Sequence, residues 1–216
     1  MIVPEEKIIF IHIPKCAGSS IASALFHKIK YPNFRGYTKM SQADQKKYKT
    51  NLVLKHNTLT SHIIKNFDAY YKFTIVRNPY DRFISSYFWK KQNLKHLTLL
   101  EYLDEAEKFL ESNRNNDQLS LINKAIPHFL PQKNYVMVNG ENKMDDVFCF
   151  EDMERVFEKL NLKRQHKKKR NSQEQLAKIH PEDLDPVKER IRQLYHMDYE
   201  YFGFDENGAT KNVTIL

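Results

Sequence analysis

The stretch IHIPKCAGSS, residues 11–20, sets a proline, a lysine, a lone glycine and two serines directly behind an apolar run. Residues 7–13 (KIIFIHI) are rich in β-formers, and residues 20–30 (SIASALFHKIK) carry apolar side chains at helical spacing, so the order is strand, turn, helix. Such a turn gathers backbone N–H groups and the positive end of a helix dipole at one point, which attracts an anion. Lys15 adds a mobile full charge, Gly18 lets the backbone approach closely, and Ser19 and Ser20 offer hydroxyl donors to phosphate-like oxygens. The plainer account of the same residues is an ordinary glycine turn with a serine as helix cap. The Walker pattern is not met, because the lysine precedes the glycine.

The same order recurs further along. Residues 72–76 (KFTIV) read as a strand, followed by RNP and an amphipathic segment, residues 80–89, with Tyr80, Phe83, Ile84, Tyr87 and Phe88 on one side. Two strand–turn–helix units predict an α/β protein with a parallel sheet. Asn78 is placed to cap the second helix, Pro79 to open it, and Asp81 falls in its first turn. Arg77, fixed just before, presents a fork to a phosphate, and Ser85 lies eight residues on, about two turns into the helix. Read only as structure, Arg77 and Arg82 are surface charges pairing with Asp81.

Elsewhere the pattern predicts helices over residues 41–49, 59–66, 98–110, 116–125 and 151–160, and one over 186–195 with Asp185 as its N-cap and Pro186 at its first position. Strands are expected at 135–138 and 147–150 around the turn-rich NGEN. One domain over residues 1–204 and a frayed tail over 205–216 account for the 216 residues. A hydrophobic content of 41% excludes a disordered chain, and two cysteines, Cys16 and Cys149, exclude a disulfide framework. No paired C-x-x-C spacing suggests a zinc site. The opening MIVPEEKIIF is unlike a signal peptide or membrane anchor, and the expected compartment is the cytoplasm. The formal net charge is +8, and KRQHKKKR, residues 163–170, alone holds six positive charges. A nucleic-acid binder built on that run lacks any RNP signature, zinc-finger spacing or repeat.

The P-K-x-x-G-[ST]-S turn and the R-x-P-x-x-R-x-x-S-S-Y segment together resemble the two donor-binding motifs of sulfotransferases, most closely the carbohydrate branch of bacterial and heparan-sulfate type. LKHNTLTSH (residues 54–62), HFLPQKNY (128–135) and DYEYFGF (198–204) resemble further segments of that family. The resemblance implies a P-loop-NTPase-like three-layer α/β/α sandwich that moves the sulfuryl group of 3′-phosphoadenosine 5′-phosphosulfate, without a metal, to a hydroxyl or amine of an acceptor such as a carbohydrate. By matching positions, Lys15, Gly18, Ser19 and Ser20, in one cradle with Cys16 and Ala17, hold the 5′-phosphosulfate, and Arg77 with Ser85 holds the 3′-phosphate.

On this reading Lys15 is catalytic, aimed at the bridging oxygen where charge develops. His56 is the first candidate for the base, His62, His128 and Glu151 are the others, and His12, inside the first strand, is a packed residue. Arg170, Asn171 and Ser172 are expected in a lid over the adenine and 3′-phosphate, with the preceding lysines drawing in an anionic donor or glycan. Cys16 and Ala17 stand where many members carry Thr-Gly, and Cys16 is no argument for thiol catalysis. A P-loop phosphotransferase acting on a nucleotide or small metabolite is the alternative enzyme. Residues 31–54 and 90–125 would shape the acceptor cleft.

Overall fold

A strand that is apolar on both faces has to be covered on both. Residues Ile8–Ile11 meet that condition, with all four side chains buried. The computed structural model describes residues 1–29, 59, 64–65, 67–91, 97–113, 128–164, 177 and 181–205. In chain order its elements are β1 (Ile2–Val3), β2 (Ile8–Ile11), α1 (Gly18–Lys28), β3 (Tyr71–Val76), α2 (Pro79–Lys91), α3 (Leu99–Ser112), α4 (Lys133–Val136), β4 (Met137–Val138), β5 (Glu141–Asn142), β6 (Asp146–Cys149), α5 (Met153–Lys159), α6 (Pro181–Leu194) and α7 (His196–Phe202). The central sheet has the order β1-β2-β3-β6. β2, β3 and β6 run parallel, in register Phe10↔Phe73 and Phe73↔Asp146, and only the short β1 is antiparallel. The expected α/β fold with a mostly parallel sheet is present.

Stacking of Phe10 on Phe73, with ring centroids 5.0 Å apart, ties β2 to β3 across the sheet. Full burial of each such ring contributes roughly 1.5–3 kcal/mol. α1 joins this core through Ile21, Ala22, Ala24, Leu25 and Phe26. A second core lies where α2, α3 and α6 meet, built from Phe83, Ile84, Tyr87, Tyr102, Leu103, Val187 and Ile191. Its rim carries the Arg190 guanidinium, which bonds Asp104 at 2.7 Å and Glu107 at 2.6 Å.

The local signals that hold are those whose partners are near in sequence. Asn78 Oδ1 accepts from the N–H groups of Tyr80 (2.9 Å) and Asp81 (3.3 Å), and Pro79 opens α2 as expected. Thr98 and Glu101 close a reciprocal capping box on α3. Asn139 and Gly140, both at positive φ, turn β4 into β5.

Other expectations are corrected. Residues 135–138 are not one strand: Tyr135 and Val136 belong to the short helix α4. The carboxylate of Asp198 caps the N–H groups of Gln132 (2.7 Å) and Lys133 (2.8 Å) from 66 and 65 residues away, and this stabilises a helical turn there. The last long helix starts at Pro181, so Asp185 is not its cap and Pro186 lies inside it. Burial of Val187 and Ile191 on one face offsets the single backbone bond that Pro186 forgoes. α1 begins at Gly18 behind an alanine N-cap, so neither Ser19 nor Ser20 caps it. The 147–150 strand falls at Asp146–Cys149, and residues 150–152 form a single 3-10 turn ahead of α5. The helices expected at 41–49 and 116–125, most of that at 59–66, and the tail from 206 lie outside the described residues. Among the described residues no helix is long and apolar enough to cross a membrane.

Gly18 is set by a close approach. A Cβ built on it would lie 1.8 Å from Cδ2 of the buried His12 ring, which is itself stacked on Phe10 at 5.7 Å. Gly18→Ala is expected to lower unfolding stability by roughly 1–3 kcal/mol through overpacking. The His12→Ala/Gly18→Ala pair should recover part of that loss, because the two sites share one contact. Urea midpoints of the three variants check both statements.

Candidate active site

The turn from Pro14 to Ala17 follows β2, and Arg77 follows β3, so both sit at the carboxyl ends of adjacent parallel strands. Open α/β sheets bind ligands at that edge. Lys15 has φ 68° and Ala17 φ 57°, left-handed conformations that cost a non-glycine residue ~1–2 kcal/mol each. With these angles the chain reverses tightly enough to start α1 at once. The N-cap of α1 is Ala17, whose own side chain makes no capping bond.

Lys15 Nζ hangs over the Trp89 indole, 5.6 Å from the ring centroid. Ser19 is exposed, Ser20 half-buried and Gly18 buried beneath them. Cys16 is fully buried, its Sγ directed at Gln132 Oε1 (3.4 Å), and burial pushes its thiol up to about 12. A thiol so disposed stays protonated and is no nucleophile.

Arg77 and Arg82 are not surface charges: they are 8% and 2% exposed. The Arg77 guanidinium packs over the Phe150 ring at 4.3 Å, reaching toward the end of β6. Arg82 donates to the carbonyls of Leu130 (2.6 Å) and His128 (3.4 Å) and lies over the Tyr195 ring. Both guanidiniums, and the buried Asp198 carboxylate, act electrostatically on Cys16 at the centre of the turn. Burial raises the Asp198 carboxyl above the ordinary value, against the pull of Arg82 and two backbone N–H groups. Glu151, after β6, is likewise raised by partial burial, with Arg77 acting in the opposite sense.

Segment 128–133 joins these parts. Gln132, fully buried, accepts from Arg77 N–H through Oε1 (2.9 Å) and donates to the Arg77 carbonyl through Nε2 (2.8 Å). Tyr195 hydroxyl donates to the Phe129 carbonyl (2.9 Å). His128, also buried, lies 3.0 Å through Nδ1 from Ser86 Oγ, which in turn is 2.7 Å from the Tyr102 hydroxyl. Its ring stacks on Trp89 with centroids 4.6 Å apart and 8° between planes.

One family model, described as the Sulfotransferase family, matches residues 1–205. The chain belongs to that family. No curated protein and no solved structure matches it. Sulfuryl transfer is therefore the class of reaction, and the protein is a transferase.

In this sulfotransferase the turn from Lys15 to Ser20 and Arg77 follow the adjacent strands β2 and β3, and Ser85, half-buried, lies on α2. Of the candidate bases, His128 lies in the site and Glu151 at the end of β6, while His56 and His62 lie outside the described residues, as do Arg170, Asn171 and Ser172. His12 is the packed residue expected of it, one position beyond β2. Ser86, Trp89, Gln132 and Asp198 are given no role by the sequence alone, and Arg82 only that of a surface charge. The signal for Gln132 and Asp198 was the family-like ending and the HFLPQ segment; for α2, it was the spacing of residues 82, 86 and 89 on one helical face.

Gln132→Ala would leave the buried N–H and C=O of Arg77 without their partners. It is expected to destabilise the fold by about 2–6 kcal/mol, the sum for two unsatisfied buried groups. Chemical denaturation measures it, and a change under about 0.5 kcal/mol would show that the clip contributes nothing.

Proposed function

We propose that this sulfotransferase moves the sulfuryl group of 3′-phosphoadenosine 5′-phosphosulfate to a hydroxyl or amine acceptor, with a carbohydrate hydroxyl the favoured class, on a P-loop-like three-layer α/β/α fold working in the cytoplasm. The observation that carries this reading is the placing of the Lys15 turn, which opens α1, and of Arg77 at the carboxyl ends of the adjacent strands β2 and β3. Two cations and a helix N-terminus suit a ligand that carries two anionic groups.

In the transfer the acceptor oxygen bonds to sulfur while the bond from sulfur to the 5′-phosphate oxygen breaks, leaving its electron pair on that oxygen. Lys15 neutralises the charge that gathers there. The turn with Cys16, Ala17, Gly18, Ser19 and Ser20 cradles the phosphosulfate, through backbone in the case of the buried Cys16. Arg77 and Ser85 take the 3′-phosphate, Arg170, Asn171 and Ser172 close over the nucleotide, and His56 accepts the acceptor's proton.

A thermal-shift titration tests the donor. The spent donor, 3′-phosphoadenosine 5′-phosphate, is expected to raise Tm, corresponding to about 2.7 kcal/mol at a hundredfold excess over Kd. Stabilisation by ATP and magnesium alone would favour a phosphotransferase instead. Arg77→Ala and Ser85→Ala should each weaken the spent donor while leaving adenosine 5′-phosphosulfate, which lacks the 3′-phosphate, nearly unaffected; equal losses for both nucleotides would assign these residues elsewhere. Lys15→Ala should remove turnover at a cost on the order of 3 kcal/mol in the barrier, with a much smaller loss of spent-donor affinity. Release of spent donor with a panel of unsulfated oligosaccharides reports the rate, and a variant within about tenfold of wild type would take Lys15 out of the mechanism.

A further inference from the structure

A lysine side chain is long and rotamer-rich, and a cation that must be ordered during the reaction slows it. Lys15 is held at two levels. Its backbone is fixed in the left-handed region at φ 68°, and its ammonium lies over the face of Trp89, 5.6 Å from the centroid. Trp89 is itself backed by His128, parallel within 8° at 4.6 Å. His128 is anchored through its ring and its backbone. Nδ1 meets Ser86 Oγ, which meets the Tyr102 hydroxyl, and burial pushes that phenol up to about 12, so it keeps its proton. The carbonyls of His128, Phe129 and Leu130 accept from Arg82, Tyr195 and Arg82 respectively. Such a set of buried polar bonds behind an indole that is 36% exposed gives the outer ring a rigid back.

We propose that Trp89, backed by His128, is a positioning residue for Lys15: the indole face holds the ammonium ordered at the mouth of the turn before charge develops on the leaving oxygen. His128, 4% exposed and with Nδ1 and one ring face engaged, acts here through Trp89 and not as the base. The proposal rests on the catalytic part given to Lys15 above.

Trp89 is the chain's single tryptophan, so its emission reports the contact directly. In the ligand-free protein Lys15→Met is expected to change the intensity of that emission, because an ammonium against an indole perturbs it, while Lys108→Met, on the exposed face of α3, leaves it as in wild type. Release of sulfate from 3′-phosphoadenosine 5′-phosphosulfate, with water as acceptor, then gives the rates. Trp89→Leu is expected to lose about tenfold in kcat with donor KM within about threefold, and Trp89→Phe to recover about a third of the wild-type rate, since a phenyl ring still offers a π face. A purely structural role would not restore the rate in that order. Equal rates for Phe and Leu, a Leu variant as fast as wild type, or unchanged emission in Lys15→Met would each overturn the proposal, and the spectra decide it where a Trp89 variant does not fold. A Lys15→Ala variant at the wild-type rate would instead defeat the reading of Lys15 itself. A dead Lys15→Ala beside a fully active Trp89→Leu would defeat only the positioning.

Discussion

The side-chain amide of Gln132 directs both its ends at the backbone of Arg77 and takes the Cys16 thiol on the same oxygen, while its own N–H is held by Asp198. Three segments far apart in sequence meet in that one group: the turn after β2, the exit of β3 and the last helix, α7. An amide pairing with both polar groups of another residue's backbone continues the logic of a β ladder past the end of the strand. It lets Arg77 leave the sheet without stranding a buried N–H or C=O. Sites built on such rigid supports hold their charges in place without reorganising during the reaction.

Asp198 extends the same support. A carboxylate taken out of water is unfavourable unless its oxygens are satisfied, and here each oxygen meets a backbone N–H, at 2.7 and 2.8 Å. The raised carboxyl of Asp198 shows that desolvation still outweighs those bonds and the nearby Arg82. Such a group is retained for the arrangement it enforces: it starts α4, fixes Gln132 and with it the exit of β3.

What the sequence discloses here follows the range of the interaction. The strand–turn–helix units around Lys15 and Arg77 and the Asn78–Pro79 start of α2 are written in consecutive residues, so they can be read directly. β1 is only two residues long and exists because β2 lies beside it, which no local pattern discloses. The turn at 133–136 reads as β-rich because its cap sits on α7, and Pro186 reads as a helix start because the packing that outweighs it comes from α2 and α3. The candidate site divides the same way. Lys15, Gly18 and Arg77 announce an anion site by type and spacing, whereas His128, Gln132 and Trp89 acquire their parts only when three elements meet.

Arg77 and Arg82 are buried near Cys16, the residue that follows Lys15 in the turn. Two guanidiniums that are 8% and 2% exposed, with the buried Asp198 and the partly buried Glu151 near them, sit in a medium where an unsatisfied charge is unfavourable. The protein offsets part of this locally. Arg82 finds two carbonyls and the face of Tyr195, and Arg77 finds the face of Phe150. Arg82 Nη1, buried and without a hydrogen-bond partner among the described residues, marks where that compensation stops. Aromatic faces and carbonyl dipoles neutralise a cation only partially. A fold that keeps such cations at the carboxyl edge of its sheet is one in which an arriving anion gains more than it would at the surface, because the groups it meets are desolvated and fixed before it comes.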